Sequence, residues 1–166
     1  MILVAYATKK GSTREVAEAV ASTFAEHGLD VEVLPAAAVR DLERYDAVVL
    51  GTALYTGRVH ADARAFLRAH REALAARRVA VFAMGPRTLA EKEVASSRKQ
   101  LDHELAKVPD VHPDAVAVFG GVLDPSQHRF PFNRMPASDA RDWSTIAHWA
   151  DALAASLAAT GDPAAV

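Results

Sequence analysis

The sequence predicts an α/β fold, a three-layer α/β/α sandwich around a five-stranded parallel sheet in the order 2-1-3-4-5. Short apolar runs rich in β-branched residues recur at 2–6, 31–34, 47–50, 79–84 and 115–119, a composition that suits strands covered on both faces. Segments of helical periodicity alternate with them. No linker composition interrupts the 166 residues, so one domain is expected over 1–160, with 161–166 a frayed tail.

The first strand, Ile2-Leu3-Val4-Ala5-Tyr6, breaks into the polar turn Thr8-Lys9-Lys10-Gly11-Ser12-Thr13, and a helix with Val16, Val20 and Phe24 on one face follows. Hydroxyls, a glycine that allows close backbone approach and the unpaired N–H groups of a helix N-terminus together suit a phosphate. Ser12 with Glu15 three residues on is also a capping box, which needs no ligand. Neither reading is excluded at this point. After the second run, residues 35–46 have room for a turn or two of helix, expected around 39–44. The third run ends in a polar stretch, 51–60, read as a loop. A helix with Phe66, Leu67, His70 and Leu74 inward leads to the fourth run, which closes on Gly85-Pro86-Arg87. His70 on that apolar stripe reads as a packing residue. A weaker amphipathic segment through Val94, Leu101, Leu105 and Val108 precedes the fifth run, and residues 120–139 read as a second long polar loop. The last helix carries Trp143, Ile146, Ala147, Ala150, Leu153, Ala154 and Leu157 at helical spacing. Trp143 is expected in the core and Trp149 at the rim.

Composition removes several classes of function. A formal charge of −2, with 24% charged residues, provides no single-signed field for a nucleic acid. No cysteine means no disulfide, thiol chemistry or Cys-ligated metal, and the seven histidines show no metal spacing. Phosphate-binding NTPase and nucleophile-elbow motifs are missing. No apolar stretch approaches the roughly 18 residues of a membrane span, and a cytoplasmic location is the expectation.

In an open α/β sheet the ligand crevice lies at the carboxyl ends of the strands, where the strand order reverses. If the first strand sits between the second and third, the turn 8–13 and the segment Gly51-Thr52-Ala53-Leu54-Tyr55-Thr56-Gly57 flank that crevice. Arg58, Arg87, His128 and Arg129 fall on neighbouring loops and are candidates to pair with carboxylates of a substrate.

With these residues in place the chain resembles the flavodoxin-like FMN proteins over essentially its whole length. Thr8, Gly11 and Thr13 match their phosphate loop, and Lys10 departs from it. Within that superfamily the sequence is similar to the flavodoxin domain of menaquinone-dependent protoporphyrinogen dehydrogenases. The shared residues are Ala7-Thr8 with Gly11 to Glu15, Tyr45-Asp46, Gly51-Thr52-Ala53 with Tyr55, Gly57 and His60, and Asp142-Trp143. The resemblance implies FMN as cofactor, its phosphate held by Thr8, Lys9, Lys10, Gly11, Ser12 and Thr13. Its ring system would lie between Thr52, Ala53, Leu54, Tyr55, Thr56 and Gly57 on one side and Gly85, Pro86 and Arg87 on the other, with Tyr55 stacked on it.

The implied activity is flavin-mediated electron or hydride transfer by an oxidoreductase with its own substrate, such as a porphyrinogen, with no side chain needed as acid or base. A single-domain electron carrier serving a redox partner protein is the alternative, and a fold that has lost its cofactor is a third. Homodimerisation is compatible with the fold. Two departures bear on these expectations. The 85–90 loop has no aromatic for a second flavin face, and residues 121–139 form a shorter, more polar segment than the insertion of the quinone-linked enzymes, so membrane docking and quinone use do not carry over.

Overall fold

A computed structural model describes residues 1–55 and 57–160; Thr56 and the expected tail, 161–166, lie outside the described residues. Strands β1 (Ile2–Ala7), β2 (Val31–Pro35), β3 (Ala47–Tyr55), β5 (Arg78–Met84) and β6 (Ala115–Phe119) form the parallel sheet, in the order β2-β1-β3-β5-β6. These are the five runs read from the sequence, in the expected order. The strand count is larger, because β4 (Arg58–Val59) adds an antiparallel sixth strand to β3. A separate antiparallel pair joins β7 (Val122–Leu123) to β8 (Ser138–Asp139).

Alternation along the central strands assigns the two helix layers. Ile2 and Val4, Ala47 and Val49, and Ala80, Phe82 and Met84 pack with α1 (Ser12–Glu26) and α5 (Trp143–Thr160), which contribute Val16, Val20, Phe24, Ile146, Ala150 and Leu153. Leu3 and Ala5, Val48 and Leu50, and Val79 and Val81 face the other way. There they meet α2 (Ala61–Ala69), α3 (Arg71–Ala75) and Leu101 of α4 (Glu91–Leu105). Both faces of β1, β3 and β5 are thereby dry, which is why these strands read as continuous apolar runs.

Several local expectations are corrected. The stretch 51–60 is mostly sheet: β3 continues five residues beyond Leu50 before turning into β4. Gly51 and Ala53 have low strand propensity, but with Thr52 between them they pair with Tyr6 and Ala7 on one side and Phe82, Ala83 and Met84 on the other. Gly51 is needed there, since a Cβ at this position would lie 2.2 Å from Cζ of the buried Phe82 ring. Residues 39–44 form no helix; a 3₁₀ turn, Ala36–Ala38, follows Pro35 instead. Leu42 and Tyr45 are pulled into the core, and the Asp41 carboxylate accepts the Glu43 N–H at 3.2 Å, a local bond that competes with helix formation. The segment 61–75 breaks at His70, whose ring packs 4.8 Å from that of Phe66.

The two tryptophans exchange their expected roles. Trp149 fits edge-on against Phe82 and Phe119, at 6.0 and 5.7 Å between ring centroids, and fastens α5 to the sheet. Trp143 begins α5 beyond the sheet edge and is 44% exposed, with the Arg141 guanidinium 4.9 Å over its ring.

The contact between Gly51 and Phe82 sets a test of packing. Gly51→Val is expected to lower stability by about 1–3 kcal/mol through overpacking, read as a fall in the urea midpoint at constant slope. Adding Phe82→Leu to that variant should recover part of the loss, because the ring atoms that meet the new side chain are gone.

Candidate functional site

The candidate site begins where β1 ends. Residues 8–11 turn away from the sheet, and Thr8 Oγ1 accepts the Gly11 N–H at 3.1 Å. Gly11 has φ +91°, a left-handed conformation that a side chain would strain, and from there the chain enters α1 directly. Ser12 is the first helical residue, and no side chain caps the helix. The Glu15 carboxylate pairs with Arg141 instead of reaching back to the turn, so the capping-box reading of Ser12 and Glu15 does not hold. The turn therefore faces a helix N-terminus with no side-chain cap, where the partial positive charge of the helix favours an anion.

Thr13 sharpens the point. It is fully buried at the base of this turn, and its Oγ1 makes no hydrogen bond among the described residues. A buried hydroxyl left without a partner costs on the order of 1–3 kcal/mol. It is a cost that an anion in the turn would offset.

Beside the turn lies an open cavity of about 220 Å³ with mainly apolar walls. Of the residues selected from the sequence, Ser12, Ala53, Leu54, Tyr55, Gly85, Arg87 and His128 line it. Thr8, Lys9, Lys10, Gly11 and Thr13 form the adjoining turn. Thr52 does not line it: the residue is buried within β3 and its hydroxyl donates to the Ala53 carbonyl at 3.2 Å. Gly57 lies on the β3–β4 turn near Gln100, and Pro86 is buried with its carbonyl accepting the Gly121 N–H at 2.8 Å. Arg58 and Arg129 are exposed and stand outside the lining, so among the arginines proposed for substrate only Arg87 borders the cavity. Thr56 lies outside the described residues.

Met84, Gly121, Val122, Leu123 and Met135 also line the cavity and escaped the sequence reading. Four of them come from the segment read as a polar loop. That segment folds back through β7 and β8 and makes the outer wall, with Leu123 and Met135 as its apolar surface. The Val122-Leu123 pair and the glycines before it were the available signal.

Charged groups strap this wall to the core. Lys10 Nζ donates to the Gln127 carbonyl, so its ammonium is engaged with the wall. Arg141, with its side chain 11% exposed, holds Asp139 at 2.7 Å and also pairs with Glu15 on α1. Its hydrogen bond keeps the Asp139 carboxyl below the ordinary carboxylate range, and the Arg141 guanidinium is raised in turn. At the inner wall, burial pushes the Tyr55 phenol up, partly countered by the Lys9 backbone and the Thr8 side chain. Lys9 Nζ stands 5.5 Å over the Tyr55 ring, so the turn and the end of β3 are tied together.

A doubly wound sheet with a turn at a helix start at its switch point and an apolar slot beside it places the site where open α/β sheets hold their ligands. The comparisons with known proteins are more particular. A family model described as a flavodoxin domain matches residues 3–135, and the chain belongs to that family. It is 24% identical over 130 residues to protoporphyrinogen IX dehydrogenase (quinone) of Escherichia coli, covering 77% of this chain and 72% of the relative. Among solved structures, a Streptococcus pneumonia flavodoxin superposes with a TM-score of 0.60 at 18% identity, covering 96% of this chain and 98% of that one. Rubredoxin oxygen:oxidoreductase of Desulfovibrio gigas reaches 0.65 at 14% identity, covering 95% of this chain and 36% of its own. Family membership supports a flavin-linked redox function. No helix among the described residues is long and apolar enough to cross a membrane.

The Arg141 clamp has a pH signature. Because the folded Asp139 carboxyl is lowered, the clamp contributes fully above the unfolded carboxylate pKa of about 4 and is lost as pH falls through the folded value. Arg141→Gln should therefore be less stable than the parent at neutral pH, with the gap in urea midpoint closing on acidification below about pH 4. A gap independent of pH would show that Arg141 acts through packing alone.

Proposed function

We propose that the chain binds FMN and works as a flavin-dependent oxidoreductase. The observation that carries this reading is the buried, unpartnered Thr13 hydroxyl beneath an uncapped helix start. The residues present fit the group: hydroxyls of Ser12 and Thr13 and the first N–H groups of α1 for the phosphate, Gly11 for the close turn, and an apolar slot for the ring system. Lys9 and Thr8 complete the turn, with Lys10 acting mainly through the wall it holds.

When bound, the flavin supplies the uptake and release of electrons. The chain positions and shields it. Ala53, Leu54 and Tyr55 form one side of the slot, and Gly85 and Arg87 the other, where the Gly85 N–H is held by the Phe119 carbonyl at 3.1 Å. Leu123 and Met135 of the outer wall exclude water. Arg87 and His128 stand at the cavity and suit carboxylates on a substrate. Together with the protoporphyrinogen dehydrogenase name of the Escherichia coli relative, this favours a porphyrinogen as the substrate class. A carrier without its own substrate is the second reading, favoured by exposed arginines that stand on the rim outside the cavity.

Thr13→Val separates a ligand role from a structural one because its two effects have opposite signs. The cofactor-free variant should be more stable by up to about 1 kcal/mol, having lost an orphaned hydroxyl, while FMN affinity falls roughly tenfold or more. The visible spectrum after FMN addition and desalting reads the second effect, and a colourless parent protein would end the cofactor reading. With FMN retained, steady turnover of a porphyrinogen identifies the enzyme. Arg87→Gln with His128→Gln should then raise KM for the porphyrinogen about tenfold without loss of FMN absorbance. Absence of turnover leaves the carrier.

A further inference from the structure

Tyr55 is held from several sides before any ligand is considered. Its phenol meets the Lys9 backbone and the Thr8 side chain, and the His60 ring leans against it at 6.3 Å between centroids. His60 is itself fixed, since its Nδ1 accepts the Asp62 N–H at 3.1 Å. Over the Tyr55 ring stands Lys9 Nζ, 5.5 Å from the centroid and within the range of a cation–π contact. Tyr55 lines the slot and Lys9 does not, so the ring stands between the ammonium and the slot.

The charge in this stack is not spent elsewhere. The neighbouring Lys10 is tied to the Gln127 carbonyl, whereas the Lys9 ammonium makes no ion pair within 4.0 Å among the described residues. A cation held on one face of an aromatic ring draws electron density toward itself and leaves the opposite face less negative. A planar group in the slot therefore meets a Tyr55 ring backed by positive charge, and across a ring that excludes water this charge is only partly screened. Leu123 and Met135 on the outer wall carry no ring, so the effect comes from one side.

We infer that Lys9 tunes the redox centre through Tyr55, making electrons easier to accept there. The inference rests on the flavin reading and names what this chain adds to it. Reduction places negative charge on the ring system, and the Lys9–Tyr55 stack stabilises that charge relative to the oxidised state. A site biased in this direction draws electrons from a substrate, as the oxidoreductase reading requires.

The test is the ratio of reduced to oxidised FMN in the protein, equilibrated with a reference dye at neutral pH. Lys9→Met keeps a long stem and removes the charge, and should lower that ratio about threefold to fivefold. Lys9→Arg, which keeps the charge and stacks on aromatic faces, should stay within about twofold of the parent. In a Tyr55→Leu background the effect of Lys9→Met should shrink to less than about twofold, because the ring that carries it is gone. In the cofactor-free protein the Lys9 methylene protons beside Nζ should be displaced upfield by the Tyr55 ring current, and should return to the free-lysine position in Tyr55→Leu. An unchanged ratio in Lys9→Met, an undiminished fall in the Tyr55→Leu background or undisplaced methylene protons overturns the proposal. So does a fall of about tenfold or more in FMN affinity in Lys9→Met that riboflavin does not share, since the ammonium would then serve the phosphate. Retained FMN with an unmoved ratio defeats the role of Lys9 alone; a parent protein that retains no flavin defeats the cofactor reading and this inference with it.

Discussion

Strand β1 is hydrogen-bonded on both sides, to β2 and to β3, both parallel to it. With the next strand of the chain on one side and the one after on the other, the connections must leave in opposite directions and cover opposite faces. The loop that ends β1 is left with no crossover above it. The turn of residues 8–11, the uncapped start of α1 and the neighbouring end of β3 all meet in that gap. If β1 were an edge strand, the same residues would face solvent. The dry environment that makes the Thr13 hydroxyl costly, and so informative, comes from this pairing.

A second layer of the site depends on material outside the sheet. Its inner wall is the overlong end of β3, fixed by pairing of Ala53 with β5 and of Leu54 and Tyr55 with β4, whereas its outer wall is a folded-back segment held by polar straps. The inner wall shares the rigidity of the core. The outer one is secured by Arg141, by the bond from Lys10 and by the backbone bonds of Gly121 to Pro86 and Ala140 to Gly121.

This division also explains what the sequence disclosed. The five parallel strands and the α1 and α5 faces were legible because each obeys a period set by burial on one or two sides. Gly51 to Tyr55 were misread because strand formation there comes from pairing, with β1 for Gly51 and Thr52, with β5 for Gly51 to Ala53 and with β4 for Leu54 and Tyr55, which local propensity does not contain. The turn of residues 8–13 stood out by residue type, yet whether Ser12 and Glu15 close it depends on Arg141, 126 residues from Glu15 in the chain. Trp143 and Trp149 share one helix, and only the position of the sheet edge decides which of them is covered. The apolar wall residues Leu123 and Met135 sat in a stretch whose prolines and charges pointed to a loop, and their role arises from a fold-back that has no periodic signature.

The strap from Lys10 ends on a main-chain carbonyl, that of Gln127. A backbone acceptor is indifferent to the side chain that carries it, so the latch places no demand on the identity of residue 127. The Arg141 clamp likewise asks only for a carboxylate at the root of the arm. Between these two fixtures the arm works as an exchangeable cassette. Side chains between the two fixtures can change without breaking either, while the turn of residues 8–13 and the hydrophobic layers beneath stay untouched.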